Sequence, residues 1–145
     1  MTKVPIKALL LLLVFMAQAL IPMSCETNRG QIIPYVNVNI PLLLYADLAD
    51  LGIGESKLIE GGYNGIVLYR ESDLLFHAYD RTCTCYPDHN KAVTENPSFF
   101  SVFECPECGS SFLLMNGAIP SEGPARYSLV EYRSSIQGDV LLIRN

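Results

Sequence analysis

Four of the five cysteines fall in two close pairs, Cys83-Thr84-Cys85 and Cys105-Pro106-Glu107-Cys108, with 19 residues between the pairs. A short turn aims its two sulfurs the same way. Two such turns brought together by a fold offer four soft thiolates to one centre, a pattern suited to zinc or to iron and sulfide. Disulfides are the other chemistry open to these thiols. Four cysteines can pair in three ways, and two separated by a single residue close on each other only with strain. Spacing favours a metal site over disulfides.

His77 and His89 are the only histidines. His77 is in phase with Leu75 and Tyr79 on an apolar run, which suits a packed or solvated side chain better than a ligand. His89 follows Cys85-Tyr86-Pro87-Asp88 and could stand in for one thiol, although a polar loop residue is the simpler reading. No serine, histidine and acid arrangement suggests hydrolysis, and no paired carboxylates occur in a site context. The chain is therefore expected not to be an enzyme, and no catalytic residue is assigned.

The elements that must position the cysteine pairs are β in texture. Leu74 to Tyr79 predicts a strand that delivers the chain into the first pair, and Phe99 to Glu104 predicts another running into Cys105; Ser111 to Met115 leaves the second pair as a further strand. Upstream, Tyr35 to Ile40 alternates apolar with asparagine after Pro34, a period of two. Asn64-Gly65 is a two-residue hairpin signal joining Lys57 to Gly62 with Ile66 to Arg70. Leu44, Leu48 and Leu51 recur at helical spacing, with Gly52 where a helix would stop, and predict a short helix. Gly52-Ile53-Gly54 lacks the later glycine of a nucleotide-binding turn and reads as loop, so no nucleotide is implied. After a loop over Asn116 to Arg126, Tyr127 to Arg133 and Val140 to Ile143 predict a closing hairpin around Gly138-Asp139. At least six short strands at this spacing predict a small all-β antiparallel sandwich or barrel with one short helix.

The first 24 residues stand apart. Lys3 and Lys7 precede an apolar run from Ala8 to Met23 broken only by Gln18, which reads as an export signal rather than a spanning helix. Cys25 follows Ile21-Pro22-Met23-Ser24 and resembles the lipid-accepting cysteine of bacterial lipoproteins, with a small residue before it and Pro22 where leucine is usual. That resemblance implies a bacterial envelope protein held on the membrane through lipid on Cys25, facing the periplasm or the exterior. Residues 25–34 then form a tether, and residues 35–145 a single domain. Removing two lysines and no acid with the signal takes the net charge from −5 to −7. An acidic domain without a basic patch is not expected to bind nucleic acid.

Four segments of the domain resemble Rieske-type iron–sulfur domains in order and spacing: Asp80 to Cys85, Cys105-Pro106-Glu107-Cys108-Gly109-Ser110-Ser111-Phe112, Gly123-Pro124-Ala125, and Tyr132 through Gly138-Asp139 to Ile143. In that family each knuckle supplies one cysteine to one iron and one histidine to the other. By this resemblance Cys83 and Cys105 match the family cysteines, while Cys85 and Cys108 occupy the histidine places. It further implies that Ser110 hydrogen-bonds a bridging sulfide and that Gly123 and Pro124 help cover the centre against water. Phe112 lacks the hydroxyl a tyrosine would offer there. The resemblance thus implies a 2Fe–2S cluster held by four cysteines, electron transfer, and a protein redox partner. Four thiolates are also a common structural zinc set, and a chain threaded unfolded into an oxidising compartment could form disulfides. A redox-inactive envelope module stapled by zinc or disulfides, with no cluster, is the alternative.

Overall fold

The computed structural model describes residues 32–85 and 90–145. Its strands are β1 Asn39–Leu43, β2 Ser56–Ile59, β3 Ile66–Arg70, β4 Phe76–Asp80, β5 Thr94–Glu95, β6 Val102–Glu104, β7 Ser111–Leu113, β8 Ile119–Glu122, β9 Glu131–Gln137 and β10 Val140–Arg144. Six of them make one sheet in the order β1-β10-β9-β4-β3-β2, and β5-β6-β7-β8 make a second. Every pairing is antiparallel. Because β4 and β9 are neighbours, the whole smaller sheet is an insertion between two adjacent strands of the larger one.

The uninterrupted apolar run of β3 marks a strand buried on both faces. Ile66 and Leu68 join Phe76, Ala78, Tyr132, Leu141 and Ile143 in one core. Val67 and Tyr69 face the other way, joining Tyr79, Val93, Phe103, Phe112 and Leu114 around Cys83 and Cys105. The period of two along β3 thus separates a scaffold core from a core that surrounds cysteines. The closing hairpin forms as expected: Gln137 faces Val140 across Gly138-Asp139, and Gly138 takes a φ of 61°.

Several local expectations change. The short helix over Leu44 to Leu51 is instead a succession of turns, and a single 3-10 turn, Leu114–Asn116, is the only helical element among the described residues. The Leu43 carbonyl accepts the N–H groups of Ala46, Asp47 and Leu48, and Asp47 folds its carboxylate back onto the Leu43 N–H at 2.7 Å. The Asp47 carbonyl, which a helix would need for Leu51, is taken by Lys57 Nζ at 2.7 Å, and the Leu51 N–H bonds Leu48 at 3.1 Å. Leu48 and Leu51 are nevertheless buried. Their spacing reported burial without a helix.

The first strand begins at Asn39 rather than Tyr35, because β10 ends beside it and the Val38 N–H bonds the Asn145 side chain. The β2–β3 connection is a six-residue loop, Glu60 to Gly65, since Ile59 and Ile66 are the last facing pair. Gly61, Gly62 and Gly65 all take positive φ there, and the longer loop reaches the first cysteine turn. Phe99 and Phe100 lie exposed in a turn before β6, and the loop expected over Asn116 to Arg126 contains β8.

Candidate metal centre

The chain leaves β4 at Asp80 and turns at once through Cys83-Thr84-Cys85. Asp80 is a fully buried carboxylate that holds this departure. Its Oδ1 accepts the Thr82 N–H at 2.9 Å and the Thr82 hydroxyl at 2.5 Å; its Oδ2 accepts the Tyr63 N–H at 2.6 Å and the Tyr132 hydroxyl at 2.8 Å. Four donors satisfy a buried charge as burial requires. The Arg81 N–H bonds Gly65, the Cys83 N–H bonds Lys91, and the Thr84 hydroxyl reaches the Tyr127 carbonyl at 2.5 Å. Sequence reading assigns no role to Asp80. An acid two residues before a threonine, with a glycine pair upstream, is the signal that could have marked it.

The second knuckle closes the β6–β7 hairpin. Gly109 donates to the Cys105 carbonyl and Cys105 to the Ser110 carbonyl, each at 2.9 Å, with Gly109 at a φ of 68°. Above it passes Gly123-Pro124-Ala125. The Ala125 N–H donates to Ser110 Oγ at 3.0 Å, and a Cβ on Gly123 would lie 2.5 Å from Ser110 Cα, so only glycine permits this approach. Ser110 is fully buried beneath this strap.

The two turns bring three of their four thiols together. The sulfurs of Cys83, Cys105 and Cys108 lie within 4.8 Å of one another, and Cys83 Sγ and Cys108 Sγ are 3.6 Å apart. Cys85 packs half-buried against the same core. All four are free thiols. Cys83 and Cys105 are fully buried, while Cys85 and Cys108 are the outer, partly exposed members. Burial, reinforced by the thiols of Cys105 and Cys108, pushes the Cys83 thiol up to about 12. Burial and the neighbouring Cys108 also raise Cys85. On Cys108 burial opposes the charge, but hydrogen bonds from the Ser110 hydroxyl and N–H and from Cys83 and Cys105 outweigh it and bring the thiol down to about 7.

His77 is not brought into this cluster. It sits in β4 with Nδ1 2.7 Å from Glu131 and Nε2 2.6 Å from Glu71, its ring stacked on Tyr79. Cys25 and His89 lie outside the described residues.

An all-thiol donor set suits zinc or iron. A tetrahedral ion with sulfur at ~2.3 Å separates its ligand sulfurs by ~3.8 Å. The 3.6 Å between Cys83 and Cys108 is close to that edge. Two edge-sharing iron tetrahedra place ligands of different irons farther apart than ligands of one, and the resemblance puts Cys83 and Cys108 on different irons. The donor types fit either centre; the Cys83–Cys108 edge fits a single ion, while the Cys85 sulfur stands outside the group within 4.8 Å that Cys83, Cys105 and Cys108 form.

No protein-family model and no curated protein matches the chain. Solved structures do. The cyanobacterial plasma membrane Rieske protein PetC3 from Synechocystis PCC 6803 is 24% identical with a TM-score of 0.52, covering 77% of this chain and 100% of that one. A chain of the complex of reduced oxygenase and oxidized ferredoxin in carbazole 1,9a-dioxygenase is 20% identical with a TM-score of 0.51, covering 74% and 93%. Likeness at these identities is one of fold. Two antiparallel sheets, the smaller inserted between β4 and β9 and carrying the cysteine turns, give this chain a Rieske-like fold.

Proposed function

We propose that this chain is a non-catalytic electron-transfer module in which Cys83, Cys85, Cys105 and Cys108 hold a 2Fe–2S cluster. The observation that carries the proposal is the convergence of two cysteine turns inside an apolar nest on a Rieske-like fold. Such a cluster supplies a one-electron couple, and four thiolates in place of two thiolates and two imidazoles move its potential toward roughly −400 mV. The chain's own residues do the rest. Cys83 and Cys105 bind from the buried side, Cys85 and Cys108 from the rim, and Gly123 and Pro124 hold a strap over Ser110 that restricts water.

The export signal over residues 1–24, lipid on Cys25 and an envelope location belong to the same proposal and rest on the sequence. No described helix is long and apolar enough to cross a membrane. A protein redox partner is proposed because one similar structure is a complex between an oxygenase and a ferredoxin. A second reading, one tetrahedral zinc ion in a redox-inactive module, is favoured by the 3.6 Å spacing of Cys83 and Cys108.

Iron, zinc, acid-labile sulfide and free thiol are to be measured on protein purified without oxygen from its native membrane. Two irons matched by two sulfides per chain support the carrier. One zinc per chain without sulfide overturns it in favour of the second reading, and disulfides without metal overturn both.

A further inference from the structure

We infer that the metal-free site closes as a disulfide between Cys83 and Cys108, across the two knuckles, so that thiol oxidation and metal binding exclude each other. The exclusion rests on the metal reading above; the pairing rests on geometry alone. Of the pairings within a knuckle, Cys83 with Cys85 closes a strained short ring, while Cys105 with Cys108 has the C-x-x-C spacing that redox proteins do close, so ring size alone does not choose the pairing. The structure selects a pairing that does not follow sequence proximity. Cys83 and Cys108 are 25 positions apart, yet their sulfurs are 3.6 Å apart. Forming a bond of about 2.05 Å asks the sulfurs to approach by about 1.5 Å, within the reach of a side-chain rotation.

Access divides the work between the two residues. Cys108 is partly exposed, on a turn whose Gly109 has open space beside it, so an oxidant reaches it before Cys83. Cys83 is fully buried and meets no oxidant directly. With oxidised glutathione, the Cys108 thiolate attacks one sulfur of the disulfide and a glutathione thiolate leaves, giving a mixed disulfide on Cys108. The Cys83 sulfur then attacks the Cys108 sulfur and expels the second glutathione. The two protein thiols lose two electrons and two protons, which end on two glutathione thiols. Cys85 and Cys105 remain as thiols, two ligands where the centre needs four.

The test uses the full chain in detergent, stripped of metal with a chelator, exposed to oxidised glutathione, alkylated, and digested without reduction by trypsin and a glutamate-specific protease. Cleavage after Arg81 and Lys91, and after Glu104, Glu107 and Glu122, separates Thr82–Lys91 from the peptides that carry Cys105 and Cys108 individually. The expected product links Thr82–Lys91 to the Cys108 peptide, with fragmentation placing the bond on Cys83. A parallel sample carries whichever metal the protein is purified with. With that metal at about ten times its dissociation constant only about a tenth of chains are metal-free, so the linked peptide falls about tenfold. Linkage through Cys105 or Cys85, a bond within a knuckle, or four free thiols under glutathione disulfide that oxidises small dithiols would each overturn the inference. Metal content of the purified protein reports separately on the metal reading. A metalloprotein without this linkage refutes the disulfide alone, and linkage in a chain that never binds metal refutes the exclusion and the metal centre together.

Discussion

Asp80→Asn tests whether the first knuckle is held by a buried charge or merely by packing. Each carboxylate oxygen accepts one backbone N–H and one hydroxyl: Thr82 N–H and Oγ1–H on Oδ1, Tyr63 N–H and Tyr132 O–H on Oδ2. Hydroxyls can rotate to accept, but backbone N–H groups cannot. Whichever way an asparagine is turned, its NH₂ meets the N–H of Thr82 or of Tyr63, and a buried donor is left facing a donor. Losing a charge-assisted bond and stranding a buried N–H costs about 2–4 kcal/mol in all, partly offset by the easier burial of a neutral amide. Tyr132→Phe removes one donor from a carboxylate that keeps three, for about 1–2 kcal/mol. With m-values of about 1–3 kcal/mol per molar urea, the Asp80→Asn midpoint falls by on the order of 1–2 M, followed by circular dichroism. The refuting result is an Asp80→Asn protein within about 0.5 kcal/mol of the parent, the range of an ordinary surface change, or one less affected than Tyr132→Phe.

Three further outcomes follow from the same geometry. Gly123→Ala places a Cβ 2.5 Å from Ser110 Cα at a φ of 82°, so the strap must lift. The expected loss is about 2–3 kcal/mol, with faster exchange of the Ala125 amide hydrogen; parent-like exchange would count against the contact. Ser110→Ala removes the hydroxyl 3.1 Å from Cys108 Sγ. Alkylation of Cys108 in the metal-free protein, half-maximal in rate near pH 7 in the parent, shifts upward, and an unchanged pH profile would show that Ser110 does not stabilise the thiolate. His77 loses some affinity for its proton by burial but gains more from hydrogen bonds to Glu131 and then Glu71, so its pKa lies above 6.5 when folded. Its contribution is complete below the unfolded value of about 6.5 and disappears as pH rises through the folded value. The stability difference between the parent and His77→Gln should therefore shrink from pH 6 to pH 9 by no more than about 1 kcal/mol, because the pair is solvent-screened; a constant or growing difference would reverse the assignment.

Local residue choice already specified much of this molecule. Gly138-Asp139 needs only its own backbone freedom to make a hairpin, and it does so where expected. Ile66 to Arg70 is a strand as its residues predict, and the structure buries Ile66-Val67-Leu68-Tyr69 on both faces. Leu48 and Leu51 announce burial, but not its geometry, because the Lys57 ammonium from another element takes the Asp47 carbonyl a helix would have used. The loop from Glu60 to Gly65 is longer than Asn64-Gly65 suggests for a similar reason: it must carry the Tyr63 N–H to Asp80 and the Asn64 amide to Thr82.

The cysteine turns divide along the same line. That Cys83, Cys85, Cys105 and Cys108 belong to two turns, and that a strand runs into each, is a property of short segments and could be read in order along the chain. Which sulfurs meet is not such a property. The 3.6 Å approach of Cys83 to Cys108, the burial of Cys83 and Cys105 against the outer pair, and the strap of Gly123 over Ser110 exist only because β5 to β8 fold as one insertion between β4 and β9. Turn chemistry and hydrophobic period act over a few residues and are written in them; contacts between sulfurs 25 positions apart are set by how the two sheets pack.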